Sequence, residues 1–170
     1  MGGAEAVRRP ATHARVRVRR IDTWVNNAGV TIYAKLLDTP VDEPERLFRT
    51  NYFGVVNGCV VAVPHLREQG GALIAVDSIS EGMPNSLMSA YAASRHAVKD
   101  YVDTLRGELM QEAAPIQVTL IQPSGIDTPV AEHAGNRAGG NSRVQPLVYD
   151  PMLVADAILD AATWPSCGVR

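Results

Sequence analysis

Lysine is almost missing from this chain: of the 16 basic residues among its 170, only Lys35 and Lys99 are lysines and the other 14 are arginines. Cysteine is as scarce. Cys59, in the apolar run from Val55 to Val63, and Cys167, near the C-terminus, are too few for a disulfide framework or a thiolate metal cluster, so a reducing, cytoplasmic setting is expected. The histidines, His13, His65, His96 and His133, have no ligand spacing, and no metal site is expected. No apolar stretch approaches the ~18 residues that span a bilayer, since the run 55–63 is interrupted by Asn57 and closed by Pro64. Excess charge is lacking too: the formal net charge is −2. Without a global basic surface, nucleic acid and anionic lipid are poor partners and a small-molecule ligand is the expectation.

What is present fits one folded domain. Hydrophobic residues make up 46% and charged residues 20%, the usual balance of a globular protein. Residues 1–20 stand apart, with six arginines set against the single acid Glu5 and with Pro10 interrupting any helix, and they read as a poorly ordered basic arm. From Ile21 strands alternate with helices, which points to an α/β fold with a parallel sheet.

Strands are expected at Ile21–Val25, at Ala72–Val76 directly after Gly70 and Gly71, and at Gln117–Ile121 before Pro123. Long helices are expected within Pro40–Arg67, where Leu47, Phe48, Tyr52, Val55, Val56 and Val60 recur at three- and four-residue steps, and over Ser89–Ala113. Thr128–Pro146, rich in Gly, Asn and Arg, reads as a loop. A last helix opens with Asp150 as N-cap and Pro151 at its first position, and Pro165 ends it. Residues 21–165 then form the domain and 166–170 a tail.

Four features could carry chemistry: the turn Asn26-Asn27-Ala28-Gly29 after the first strand, Asn51 in the first long helix, Ser78 just past the second strand, and Tyr91 near the start of the next helix. Each alone is ordinary. In open α/β sheets, however, ligands bind at the carboxyl ends of the strands, so the turn and Ser78 should face one crevice.

With Pro123-Ser124-Gly125-Ile126-Asp127-Thr128, and with Ser78 thirteen residues before Tyr91, their order and spacing resemble the short-chain dehydrogenase/reductase family from Ile21 to about Pro165. The resemblance implies a partial doubly wound, Rossmann-like parallel sheet with flanking helices. It implies hydride transfer between NAD or NADP and an alcohol or carbonyl substrate. Tyr91 would exchange the proton of the substrate oxygen, Ser78 would hydrogen-bond that oxygen, and Asn51 would hold a water in a proton relay. Asn27, Ala28, Gly29, Tyr91, Arg95, Pro123, Gly125, Ile126 and Thr128 would line the cofactor. The long helices would pair subunits in a homo-oligomer. A non-catalytic oligomerisation or interaction domain derived from the family is the alternative.

Two departures stand out. The family places a Lys four residues after the Tyr, one helical turn on, and here that residue is Arg95. Arginine keeps the positive charge that favours tyrosinate, but its planar fork is larger and releases no proton, so Arg95→Lys is expected to improve catalysis. Lys99, eight residues from Tyr91 and about 12 Å along the axis, is no substitute. Asp77, directly before Ser78, stands where the family more often has a small uncharged residue; it faces the site, points into the helix layer, or pairs with Arg95.

The family's glycine-rich phosphate turn is also absent: only Gly2 and Gly3 precede Gly29, and 20 residues cannot hold a βαβ unit of roughly 30. The resemblance therefore implies a chain truncated at its N-terminus and, lacking a further strand, at its C-terminus. It implies little independent activity, doubtful cofactor binding, and an apolar sheet edge at Ile21–Val25 prone to aggregation.

Overall fold

A computed structural model describes residues 8, 20–79, 86–139 and 148–163. Three parallel strands form the sheet in the order β1, β3, β4: β1 (Thr23–Asn26), β3 (Gly71–Val76) and β4 (Ile116–Ile121). Helix α1 (Asp42–Gln69) connects the first pair and helix α2 (Ser89–Gln111) the second. A short strand β2 (Ile32–Tyr33) and a 3₁₀ turn (Leu36–Asp38) precede α1. After β4 come β5 (Gly125–Ile126), β6 (Gly135–Asn136), β7 (Val148–Tyr149) and helix α3 (Pro151–Thr163).

Strand alternation decides which helix covers which face. Leu73 and Ala75 of β3 and Val118 and Leu120 of β4 pack with Val55, Cys59, Ala62 and Leu66 of α1 and Val98, Val102 and Leu109 of α2. The opposite face, Ala72, Ile74 and Ile121, receives Ala157, Ile158 and Ala161 of α3. Both faces of the sheet are thus covered, which is why β3 reads as an unbroken apolar run. The sheet is the expected Rossmann-like α/β arrangement, and β1 is its edge.

The elements end where local chemistry says they should. Asp42, Glu43 and Glu45 place negative charge in the first turn of α1, opposite the helix dipole. Gly70, at φ 77°, caps its end by donating to the Leu66 carbonyl at 2.8 Å. Gly71 follows because the chain passes so close to β1 that a Cβ there would sit 2.3 Å from the Asp22 carbonyl oxygen. Asp150 caps α3 as expected, its carboxylate accepting from the Met152 amide at 2.8 Å.

Beyond shifts of one or two residues at other ends, three differences from the sequence reading bear on the site. The first strand is Thr23–Asn26, so it takes in the first residue of the turn. Helix α2 stops at Gln111, because Ala113 adopts φ 51°, outside the helical region. Within the expected loop 128–146, Gly135–Asn136 pairs in parallel with β2, with Gly135 donating to Thr31 at 3.2 Å and Arg137 to Tyr33 at 2.8 Å. Those partners lie about a hundred residues away, where periodicity cannot see them. The basic arm, apart from Arg8 and Arg20, and the tail 166–170 lie outside the described residues.

Candidate active site

The site gathers at the carboxyl ends of the three strands. At the end of β1, Asn26 points back into the fold: it accepts from Trp24 Nε1 at 3.0 Å and its amide reaches Cys59 Sγ at 3.6 Å. Gly58 on α1 makes room for it, since a Cβ there would lie 1.9 Å from Asn26 Oδ1. The first Asn of the turn therefore anchors strand to helix. Asn27 and Ala28 are exposed and Gly29 half-buried, so it is these three that face outward.

Asn51 clamps the far side of the same turn. Its Oδ1 accepts from the Val30 amide at 2.9 Å while Nδ2 donates to the Val30 carbonyl at 2.9 Å and to Ser94 Oγ at 3.1 Å. Ser94 in turn donates to the Tyr91 carbonyl at 2.7 Å. The side chain is 0% exposed and both its amide protons are committed, which makes it a clamp between the turn and α2. Ser94, three residues after Tyr91, was not singled out from sequence; a serine at i+3 inside a helix is the one signal it gives.

At the end of β3, Asp77 donates its amide to Ile121 at 2.8 Å, and Ile79 donates to Pro123 at 3.2 Å. Those bonds hold Ser78, itself buried, against the loop that leaves β4. Past that loop, Gly125 and Ile126 pair with Val148 and Tyr149, and the Thr128 amide donates to Ile126 at 2.9 Å. Pro123, Gly125, Ile126 and Thr128 are all half-buried.

Tyr91 sits in the first turn of α2 and is half-buried. Arg95 lies one turn further on, with Cζ 5.0 Å from the Tyr91 ring centroid. Its Nη1 is 3.4 Å from the Val76 carbonyl and 3.7 Å from Asp77 Oδ1, and its Nη2 lies against Gly29, where an added Cβ would come within 2.4 Å. Of the three alternatives for Asp77, pairing with Arg95 is the one realised. Lys99 bonds Asp103 at 2.9 Å.

Tyr33 is a further neighbour that sequence reasoning missed. Burial, and then the nearby Tyr91 phenol, push its hydroxyl above the ordinary tyrosine range. Nothing local marks it, because β2 is placed by β6 rather than by its own pattern. A shallow apolar hollow on α1, lined by Val41, Pro44, Phe48 and Phe53, includes none of the candidate residues. Among the described residues no group of three or more His, Cys, Asp or Glu could hold a metal ion, and no helix is long and apolar enough to cross a membrane.

Parallel strands with both faces covered, and a helix-borne Tyr beside a buried Arg that reaches the ends of β1 and β3, define an α/β protein of the Rossmann-like class. Comparison with known proteins makes this specific. A family model described as short chain dehydrogenase matches residues 2–138. An uncharacterized oxidoreductase, YxnA, of Bacillus subtilis is 39% identical over 168 residues, 97% of this chain and 47% of the relative. The dehydrogenase/reductase SDR family member 7B of Bos taurus is 34% identical over 83% of this chain and 44% of its own. Among solved structures, a short-chain type dehydrogenase/reductase from Mycobacterium marinum aligns with TM-score 0.73 at 28% identity, over 77% of this chain and 52% of that one. An alcohol dehydrogenase from Thermococcus sibiricus, complexed with 5-hydroxy-NADP, shares the fold with TM-score 0.77 at 20% identity, over 92% of this chain and 63% of that one.

The chain belongs to the short-chain dehydrogenase/reductase family. It spans about half the length of the curated relatives it matches.

Proposed function

We propose that these residues are the substrate-side half of an oxidoreductase site that interconverts an alcohol and a carbonyl compound. The observation that carries the reading is Arg95, whose Cζ lies 5.0 Å from the Tyr91 ring centroid while its guanidinium also reaches Gly29 and Asp77, the residue directly before Ser78. NAD or NADP, when bound, supplies or accepts the hydride. The residues present fit the nicotinamide end of such a cofactor: exposed Asn27 and Ala28, Gly29 where an added Cβ would crowd the Arg95 guanidinium, and half-buried Pro123, Gly125, Ile126 and Thr128 past the end of β4.

Tyr91 exchanges a proton with the substrate oxygen, and Ser78 donates a hydrogen bond to it. Arg95 keeps a positive charge beside the Tyr91 ring. Asn51 fixes the distance between the turn and α2, so that both walls of the crevice are set by one side chain. Exposed Phe53, Val60 and Met110 on α1 and α2 provide apolar surface through which copies of the chain associate.

The 170 residues contain no glycine-rich phosphate turn, so the test supplies one, by fusing a complete βαβ segment of a relative ahead of Ile21. The fusion should turn over alcohols or ketones, and Tyr91→Phe should lower that turnover at least ~100-fold, the scale of a lost proton-transfer group. A folded, cofactor-binding fusion in which Tyr91→Phe leaves turnover unchanged would sink the assignment. In that case the family-derived association domain is the better reading.

A further inference from the structure

We propose that Asp77 is a positioning residue for Arg95, and that the two work as a pair which takes over the task the family gives to a lone lysine. The proposal rests on Arg95 belonging to the site described above. The Asp77 side chain is 0% exposed and that of Arg95 only 6%. Neither charge could be buried so deeply alone, because an unpaired ion taken out of water is strongly destabilising.

The guanidinium fork explains why the pair suits arginine. One arm, Nη1, turns to the end of β3, to the Val76 carbonyl and the Asp77 carboxylate. The other, Nη2, reaches Gly29 in the turn after β1, and Cζ between them lies 5.0 Å from the Tyr91 ring centroid. A planar group with five donors can serve both directions at once. A lysine ammonium is a point charge at the end of a shorter stem; beside Asp77 it would settle on the carboxylate and leave the phenol.

Asp77 is itself held by the bond from its amide to the Ile121 carbonyl, so the register of β3 against β4 fixes where the carboxylate stands. At 3.7 Å its contact with Nη1 is ionic and not a hydrogen bond, so it draws the charge without dictating the direction of the N–H groups, and Cζ keeps its place 5.0 Å from the ring centroid. The exchange of lysine for arginine and the acid before Ser78 are then one change, not two. Arg95→Lys by itself should harm the site, contrary to what the helix spacing alone suggests, and should be tolerated once Asp77 is also replaced.

The test uses the 170-residue protein labelled with ¹⁵N-arginine, with the Arg95 Nε–H resonance assigned by its disappearance in Arg95→Lys. This proton is buried, and its nitrogen has no hydrogen-bond partner among the described residues. In the wild type it should exchange slowly and carry a ring-current shift that Tyr91→Leu removes. Asp77→Asn should speed the exchange at least tenfold and remove most of the shift, whereas Asp77→Glu should retain more than half of it. In thermal unfolding, Asp77→Ser and Arg95→Lys should each lower the midpoint, and the double variant should recover at least half of the loss caused by Arg95→Lys.

Exchange within twofold of wild type in Asp77→Asn, or losses that simply add in the double variant, would overturn the pairing. If Asp77→Asn does not fold, the double variant Asp77→Ser/Arg95→Lys decides: folded supports the pair, unfolded overturns it. None of these readouts uses turnover, so their failure leaves the Tyr91→Phe test standing and that test's failure leaves the pairing intact.

Discussion

Replacing Gly58 by alanine sets two effects of opposite sign against each other. In a helix interior, glycine is worse than alanine by about 1 kcal/mol, so helix propensity alone predicts a more stable protein. The structure predicts the reverse. A Cβ on Gly58 would stand 1.9 Å from Asn26 Oδ1, 2.9 Å from its Cγ and 3.1 Å from Trp24 Nε1. The Asn26 amide must leave, and with it go the bonds to Trp24 and Cys59, each contributing about 1 kcal/mol. Overpacking between strand and helix adds roughly 1–3 kcal/mol. Set against the propensity gain, the net destabilisation is about 2–4 kcal/mol. Urea unfolding followed by Trp24 fluorescence, in a Trp164→Phe background, measures both the midpoint and the environment of the displaced indole. Because Asn26 opens the turn that faces the crevice, the same change should disturb the site. A variant more stable by about 1 kcal/mol, with Trp24 emission unchanged, would refute the packing argument and leave propensity the winner.

Asn51→Ala removes three hydrogen bonds from a fully buried position and should cost roughly 2–4 kcal/mol in chemical unfolding; a cost under 0.5 kcal/mol would show that the turn does not depend on the clamp. Burial pushes the Cys59 thiol up to about 12, although the Asn26 bond works the other way, so in a Cys167→Ser background it should react with a disulfide reagent at pH 8 only as fast as the protein unfolds. Burial alone would raise Asp103, but bonds from Lys99 and Arg106 outweigh it and hold the carboxyl below its ordinary range. A depressed folded value means a contribution fully present above about pH 4 and lost as pH falls through the folded value, so the stability gap between wild type and Asp103→Asn should shrink in acid. The gap should be small, since the carboxylate is partly exposed; a gap that widens in acid would contradict the assignment.

The helices and strands were legible because their signals are local. Leu47, Val55, Val98 and Val102 recur at helical steps, β3 is a short apolar run bounded by glycines, and Asp150-Pro151 is a helix start in two residues. The candidate residues could be named because the order and spacing of Asn26 to Gly29, Ser78 and Tyr91 resemble the family's, with the turn and Ser78 just past strand ends. Covalent spacing therefore decided the fold class, the family and the residues worth naming.

Other matters needed the third dimension, because they depend on which residues meet across elements. The division of labour between Asn26, turned inward to Trp24 and Cys59, and Asn27, turned outward, follows from the strand's register against α1 and Gly58. The pairing of β2 with β6, and so the presence of Tyr33 beside Tyr91, joins segments about a hundred residues apart that carry no shared pattern. The same holds for Asp77 and Arg95. From the sequence they are two departures eighteen residues apart whose pairing is one of three alternatives; in the folded chain they are two buried side chains of opposite charge 3.7 Å apart, an arrangement that offsets the cost of taking either ion out of water.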